Sequence, residues 1–129
     1  MGATVTAPIA DGVEELERLF GAIHVEPDET GGVYVTVREV NLGERWTPRV
    51  VPLSFQLGFN YPHAAVYPYY CPAGVARVDG SGWPQALQAA TWRGEPVVQI
   101  SLRANRWSPA HDTAAGAVAQ VRHFFQTVA

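Results

Sequence analysis

Val33-Tyr34-Val35-Thr36-Val37-Arg38-Glu39-Val40 is the stretch that decides the fold class. Val33, Val35 and Val37 alternate with Tyr34, Thr36 and Arg38, the period of a strand with one face in a core and the other toward water. After a loop at residues 43–48 the pattern returns over residues 50–57, with Val51, Leu53, Phe55 and Leu57 on one side. No helical segment separates the two runs, and parallel neighbours need a crossover of a dozen or more residues. An antiparallel pair is therefore expected. Pro52 has no N–H to give to a ladder, which places it at an edge or in the first turn of its strand.

Toward the N-terminus, residues 11–22 put Val13, Leu16, Leu19 and Phe20 at helical spacing. Glu14, Glu15 and Glu17 fall in the opening turns, where the helix dipole favours anions, and Asp11 is the expected cap. Residues 23–26 read as a strand and residues 27–32 as a turn. Toward the C-terminus, Asn60-Tyr61-Pro62 makes a rigid turn, and a short aromatic strand at 66–70, broken by Pro68 and closed by Pro72, completes a four-stranded antiparallel meander. Residues 73–96 are rich in Gly, Pro and Ala and read as a long loop with at most a short helix near 85–90. Residues 97–102 form a short buried extended segment. Asp112 or Thr113 then caps a last helix in which Ala114, Ala117, Val118, Val121, Phe125 and Val128 recur at helical spacing and pack on the sheet. The expected fold class is α+β.

With 129 residues, 47% hydrophobic and 16% charged, the chain suits one domain with a core spanning about residues 12–126. A monomeric or weakly self-associating domain is expected. The formal charge is −3, and the nine basic residues are all Arg, scattered from Arg18 to Arg122, which argues against a nucleic-acid surface. The lack of Lys has two readings, a GC-rich genome or a protein that handles a lysine-reactive thioester. No long apolar run or leader pattern points to a membrane. Cys71 is the only cysteine, so neither an internal disulfide nor a thiolate zinc cluster can form, and a reducing, cytoplasmic setting is expected. His24, His63, His111 and His123 show no ligand spacing, so no metal or cofactor is expected. Ser101 and Ser108 lack the Gly-x-Ser-x-Gly setting of a hydrolase nucleophile.

The order of helix, meander, Tyr61-Pro62 turn, long loop and Trp107-Ser108-Pro109-Ala110 before a final helix resembles the ubiquitin-conjugating (UBC-like) superfamily over nearly the whole chain. The segment Gln99-Ile100-Ser101-Leu102-Arg103, with Trp107 and Asp112, is similar to a bacterial branch, prokaryotic family E. The resemblance implies a UBC-like fold, a bacterial ubiquitin-like modification pathway, and two partners: a ubiquitin-like protein and an adenylating activating enzyme. Conjugating enzymes hold the partner's C-terminus as a thioester on a Cys that lies eight residues before the Trp; here that position is Gln99, and no Cys follows Cys71. The preceding His-Pro-Asn tripeptide is also missing.

Cys71 is then either a displaced nucleophile or a packed residue. Its neighbours Tyr70 and Pro72 would raise a thiol pKa unless His63 or an Arg folded close. Gln99 is expected at the surface groove beside the 73–96 loop. His111, beside Asp112, reads as a helix-entrance residue or a catalytic base. Trp83 and Trp92 are candidate partner-binding anchors, with loop packing as the other reading, whereas Trp107 and Tyr61 are expected to pack. The expected function is a non-catalytic or atypical conjugating component. A stand-alone protein-binding module and an active conjugating enzyme using Cys71 are the alternatives.

Overall fold

Thr6 opens the first helix, α1 (Ala7–Phe20), by accepting a hydrogen bond from the Ile9 N–H on its Oγ1 at 3.4 Å, with Pro8 in the first turn. The computed structural model describes residues 5–103 and 106–129. The helix starts a turn earlier than the acidic cluster suggests, so Asp11 is a helical residue and not the cap. Gly21, at φ 81°, ends it by donating its N–H to Glu17 O.

The strands follow as β1 (Ile23–Pro27), β2 (Val33–Asn41), β3 (Trp46–Thr47), β4 (Val50–Leu57), β5 (Tyr69–Pro72), β6 (Ala76–Arg77), β7 (Leu87–Trp92) and β8 (Glu95–Ile100), before helix α2 (Ala114–Thr127). Six of them form one antiparallel sheet in the order β1-β2-β4-β5-β8-β7, and β3 pairs with β6 separately. The α+β class, the two terminal helices and the antiparallel pairing are as expected.

Several local expectations are corrected. The meander of four strands is extended to a sheet of six by β8 and β7, and residues 73–96 hold β6 and β7 in place of a loop. No helix forms at 85–90; Leu87 to Trp92 pairs with β8 through a two-residue turn in which Arg93 (φ 52°) and Gly94 (φ 80°) are both left-handed, the geometry that matches the twist of a hairpin. The aromatic strand begins only at Tyr69, whose hydroxyl donates to Val66 O at 2.8 Å across the preceding turn. Pro52 sits in a central strand, at a bulge where Arg38 and Glu39 oppose it and the register shifts. A residue without an N–H fits there.

Val33, Val35, Val37, Leu53, Phe55, Leu57, Cys71, Val98 and Ile100 point to one face of the sheet and join Ile9 and Leu16 of α1 and Val118, Val121 and Phe125 of α2 in a single core. Thr113 caps α2 by accepting the Gly116 N–H at 3.1 Å, and Trp46 Nε1 donates to Phe125 O at 2.8 Å near its other end. The β1–β2 turn is built on buried Asp28. Its Oδ1 accepts from Thr30 N, Thr30 Oγ1 and Gly32 N, and its Oδ2 from Gln56 Nε2, all within 2.9 Å. Burial opposes ionisation of this carboxyl, but the hydrogen bonds from Gln56, Thr30 and Gly32 more than offset it and hold it below its usual range. Gly32 is required there, since a Cβ would collide with Leu57 O.

Candidate functional site

Tyr61-Pro62 and the Trp107 junction, far apart in sequence, meet at the entrance to α2. Trp107 Nε1 donates to Pro62 O at 2.6 Å, the Ala114 N–H donates to the Tyr61 hydroxyl at 2.9 Å, and the Ser108 N–H donates to Asp112 Oδ2 at 2.6 Å. Tyr61 thus satisfies an N–H of the first helical turn from outside the helix. Burial raises its phenol pKa, with the Ala114 N–H acting in the opposite sense. Beside this junction opens a cavity of about 530 Å³ with an apolar floor of Val66, Tyr69, Leu102 and Trp107 and a polar rim that includes Arg103, Arg106 and Gln120. Arg103 lies over the Tyr67 ring, 4.0 Å from its centroid.

Cys71 stands in β5 opposite Val98 and faces the helices, with 3% of its surface exposed. Burial pushes its thiol pKa up to about 12. A thiol protonated across the physiological range is a poor nucleophile, because the thiolate is the reacting species. Gln99, one residue on from Val98, lies on the opposite face. It is half-buried in mid-sheet between Tyr70 and Gln88, and its amide donates to Ser101 Oγ at 3.2 Å. Its neighbour in the 73–96 segment is Gln88 of β7, a strand and not a loop. His111 is exposed in the turn before α2, its backbone N–H bonded to Ser108 O at 3.0 Å. Among the described residues no hydrogen bond links Cys71, Gln99 and His111 to one another.

The two tryptophans have different partners. Trp83, 37% exposed, is pinned between β6 and β7 by a bond from Nε1 to Val75 O at 2.9 Å. Trp92 stacks on Tyr70, with centroids 4.4 Å apart and planes 13° from parallel, and meets Tyr34 edge-on at 5.7 Å. Next to it, Arg93 lies 4.0 Å over the Tyr34 ring and pairs with Glu26 at 2.9 Å. The hydrogen bond and charge of Arg93 hold the Glu26 carboxyl below its ordinary pKa. Glu26 and Arg93 belong to opposite edges of the sheet in strand order, so the sheet is rolled until its corners meet over the face that the helices leave open.

That open face carries the aromatic trio with hydroxyls and amides between: Thr36 and Ser54, bonded at 2.8 Å, and Gln56, Gln88 and Gln99. Tyr34, Tyr70, Arg93 and Glu26 are site residues that sequence reasoning missed. The polar half of the β2 alternation was a signal for Tyr34, but nothing local announced that residues from β1, β2, β5 and the hairpin converge. Among the described residues no three His, Cys, Asp or Glu side chains group as metal ligands, and no helix is long and apolar enough to cross a membrane. No family model, curated protein or solved structure gives a significant match to the chain.

Proposed function

We propose that the chain is a UBC-like component of a bacterial ubiquitin-like modification pathway, one that binds its partners without carrying a thioester. The observation that carries the non-catalytic part is the position of the only thiol: Cys71 lies on the core face with its pKa near 12, while the residue eight before Trp107 is an amide on the other face. An amide forms no acyl intermediate. The UBC-like part is supported by the hydrogen bond from Trp107 to Pro62 and that from Ala114 to Tyr61, which join the two motifs behind the resemblance into one unit. The partners in this reading are a ubiquitin-like protein and its adenylating activating enzyme, engaged through exposed aromatic side chains, since such anchors dominate interface energetics.

Incubation with a bacterial activating enzyme, ATP and its ubiquitin-like protein, followed by non-reducing electrophoresis, tests it. Wild type is expected to give no thiol-sensitive adduct while still binding one of the two proteins in titration calorimetry. An adduct that disappears in Cys71→Ser would reverse the assignment to an active conjugating enzyme. A stand-alone binding module is favoured by the Tyr34, Tyr70 and Trp92 cluster, which needs no pathway to serve as a contact surface. Failure to bind either pathway protein would select it.

A further inference from the structure

The sheet has two edges, and they are finished differently. β1 carries His24 and Glu26, ends in Pro27 and is tied by Glu26 to Arg93. β7 reads Leu-Gln-Ala-Ala-Thr-Trp, with no charge and no proline, and its register with β8 runs from Leu87↔Ile100 to Trp92↔Glu95 without a bulge. Charges, prolines, bulges and covering segments are the devices that stop an edge from pairing with another strand. Residues 87–92 carry no charge, proline or bulge, and the Glu26–Arg93 pair and the Leu87–Pro84 bond engage only the two ends of the strand.

Which backbone groups are free follows from the ladder. The Ser101 N–H donates to Ala86 O at 2.7 Å, so in steps of two the backbone groups of Gln88, Ala90 and Trp92 turn toward β8, and those of Leu87, Ala89 and Thr91 turn away. Leu87 gives its N–H to Pro84 O at 3.0 Å. Ala89 and Thr91, both exposed, are left presenting N–H and C=O outward.

We infer that β7 is the interface of a two-fold homodimer in which two copies of this strand pair antiparallel about Ala90. The free groups fit that occupant. With Ala89 opposite Thr91 of the symmetry mate, and the reverse, both residues exchange N–H and C=O and every outward group at the two positions is satisfied. The pleat also agrees: Ala89 and Thr91 share the core side of the strand while Gln88, Ala90 and Trp92 share the other, so both copies keep their helices on the same side of one continuous sheet. Ala90 meets only its own counterpart, a small side chain against a small one. Gln88 falls opposite Trp92. Although each chain carries a formal charge of −3, the strand brings no like charges together. This contact uses the outward backbone groups of β7 and neither the Cys71 thiol nor the Gln99 amide, and its test does not depend on the conjugation pathway.

Sedimentation equilibrium over a concentration series is expected to show wild type moving from its 14.0 kDa monomer toward twice that mass. Ala89→Pro removes an outward N–H while fixing φ at that position, and Thr91→Lys places a charge on the edge; each should weaken self-association at least tenfold, Thr91→Lys with circular dichroism and melting temperature unchanged. If the proline variant misfolds, Thr91→Lys decides alone. Mild oxidation should join Ala90→Cys into a covalent dimer through the residue on the two-fold axis, and leave Gln88→Cys monomeric. A wild type that stays monomeric at every concentration, variants that associate as tightly as wild type, faster cross-linking of Gln88→Cys, or a β7 that pairs only with a different protein would each overturn the inference.

Discussion

On the helix-covered face of the sheet Val35, Val37, Leu53, Phe55, Val98 and Ile100 are fully buried; on the other, Thr36, Ser54, Tyr70 and Gln99 remain half-buried. The same strands thus present a closed apolar surface and an open one of aromatic rings, hydroxyls and amides. The face, and not the position along the chain, decides what a side chain can do. Cys71 and Tyr70 are adjacent in sequence, yet the thiol is locked in the core and the phenol ring stacks on Trp92 at the surface. Chemistry that needs a thiolate has no residue on the open face, whereas recognition by aromatic contact has several.

Truncations on the two faces should differ most. Phe55→Ala removes a fully buried ring that packs edge-on against Tyr69, and is expected to cost about 3–5 kcal/mol in urea unfolding. A loss under about 1 kcal/mol would mean that the covered face is not the core. High pH probes the same face without mutation. In the unfolded chain Cys71 ionises near its ordinary value of 9.0 and Tyr69 near 10.0, whereas in the fold burial pushes both up to about 12. Above pH 9 the unfolded state therefore binds fewer protons. Stability that is intact below pH 9 should fall as pH rises toward 12, by up to about 1.4 kcal/mol per pH unit for each group. Cys71→Ala should flatten the early part of that decline, and an unchanged profile would place the thiol in water. On the open face the effects should be smaller: Trp92→Ala is expected to cost about 1 kcal/mol through its two ring contacts, and Gln99→Ala no more than about 0.5 kcal/mol. If Gln99→Ala proved as costly as Phe55→Ala, the contrast between the faces would fail.

The elements visible in the sequence are those with strong apolar contrast. β2 and β4 alternate Val, Leu and Phe with polar residues, and α2 repeats Ala, Val and Phe on one stripe, so their period survives any context. β7 did not stand out, because Leu87-Gln88-Ala89-Ala90-Thr91-Trp92 has small residues where a strand would place large ones, and its turn uses Arg93 where Asn or Asp is the usual signal. Pairing with β8 overrides the helical preference of its alanines. α1 began early because a Thr6 cap followed by Pro8 is as good a start as an acidic first turn. At the candidate site, the burial of Cys71 was foreshadowed by Tyr70 and Pro72, but its face was not, since parity is fixed only once the register with Val98 is known. The open-face cluster was illegible for a different reason: it depends on the roll of the whole sheet, which brings Arg93 to Glu26.

The central claim, that the only thiol is sealed on the core face, is tested most directly by its rate of reaction with the aromatic disulfide reagent DTNB in native buffer. Cys71 should release no chromophore faster than the protein unfolds, and one equivalent at once in denaturant. A stoichiometric reaction within seconds in native buffer would contradict the account, because it would put a reachable thiolate where the structure places a buried, protonated thiol.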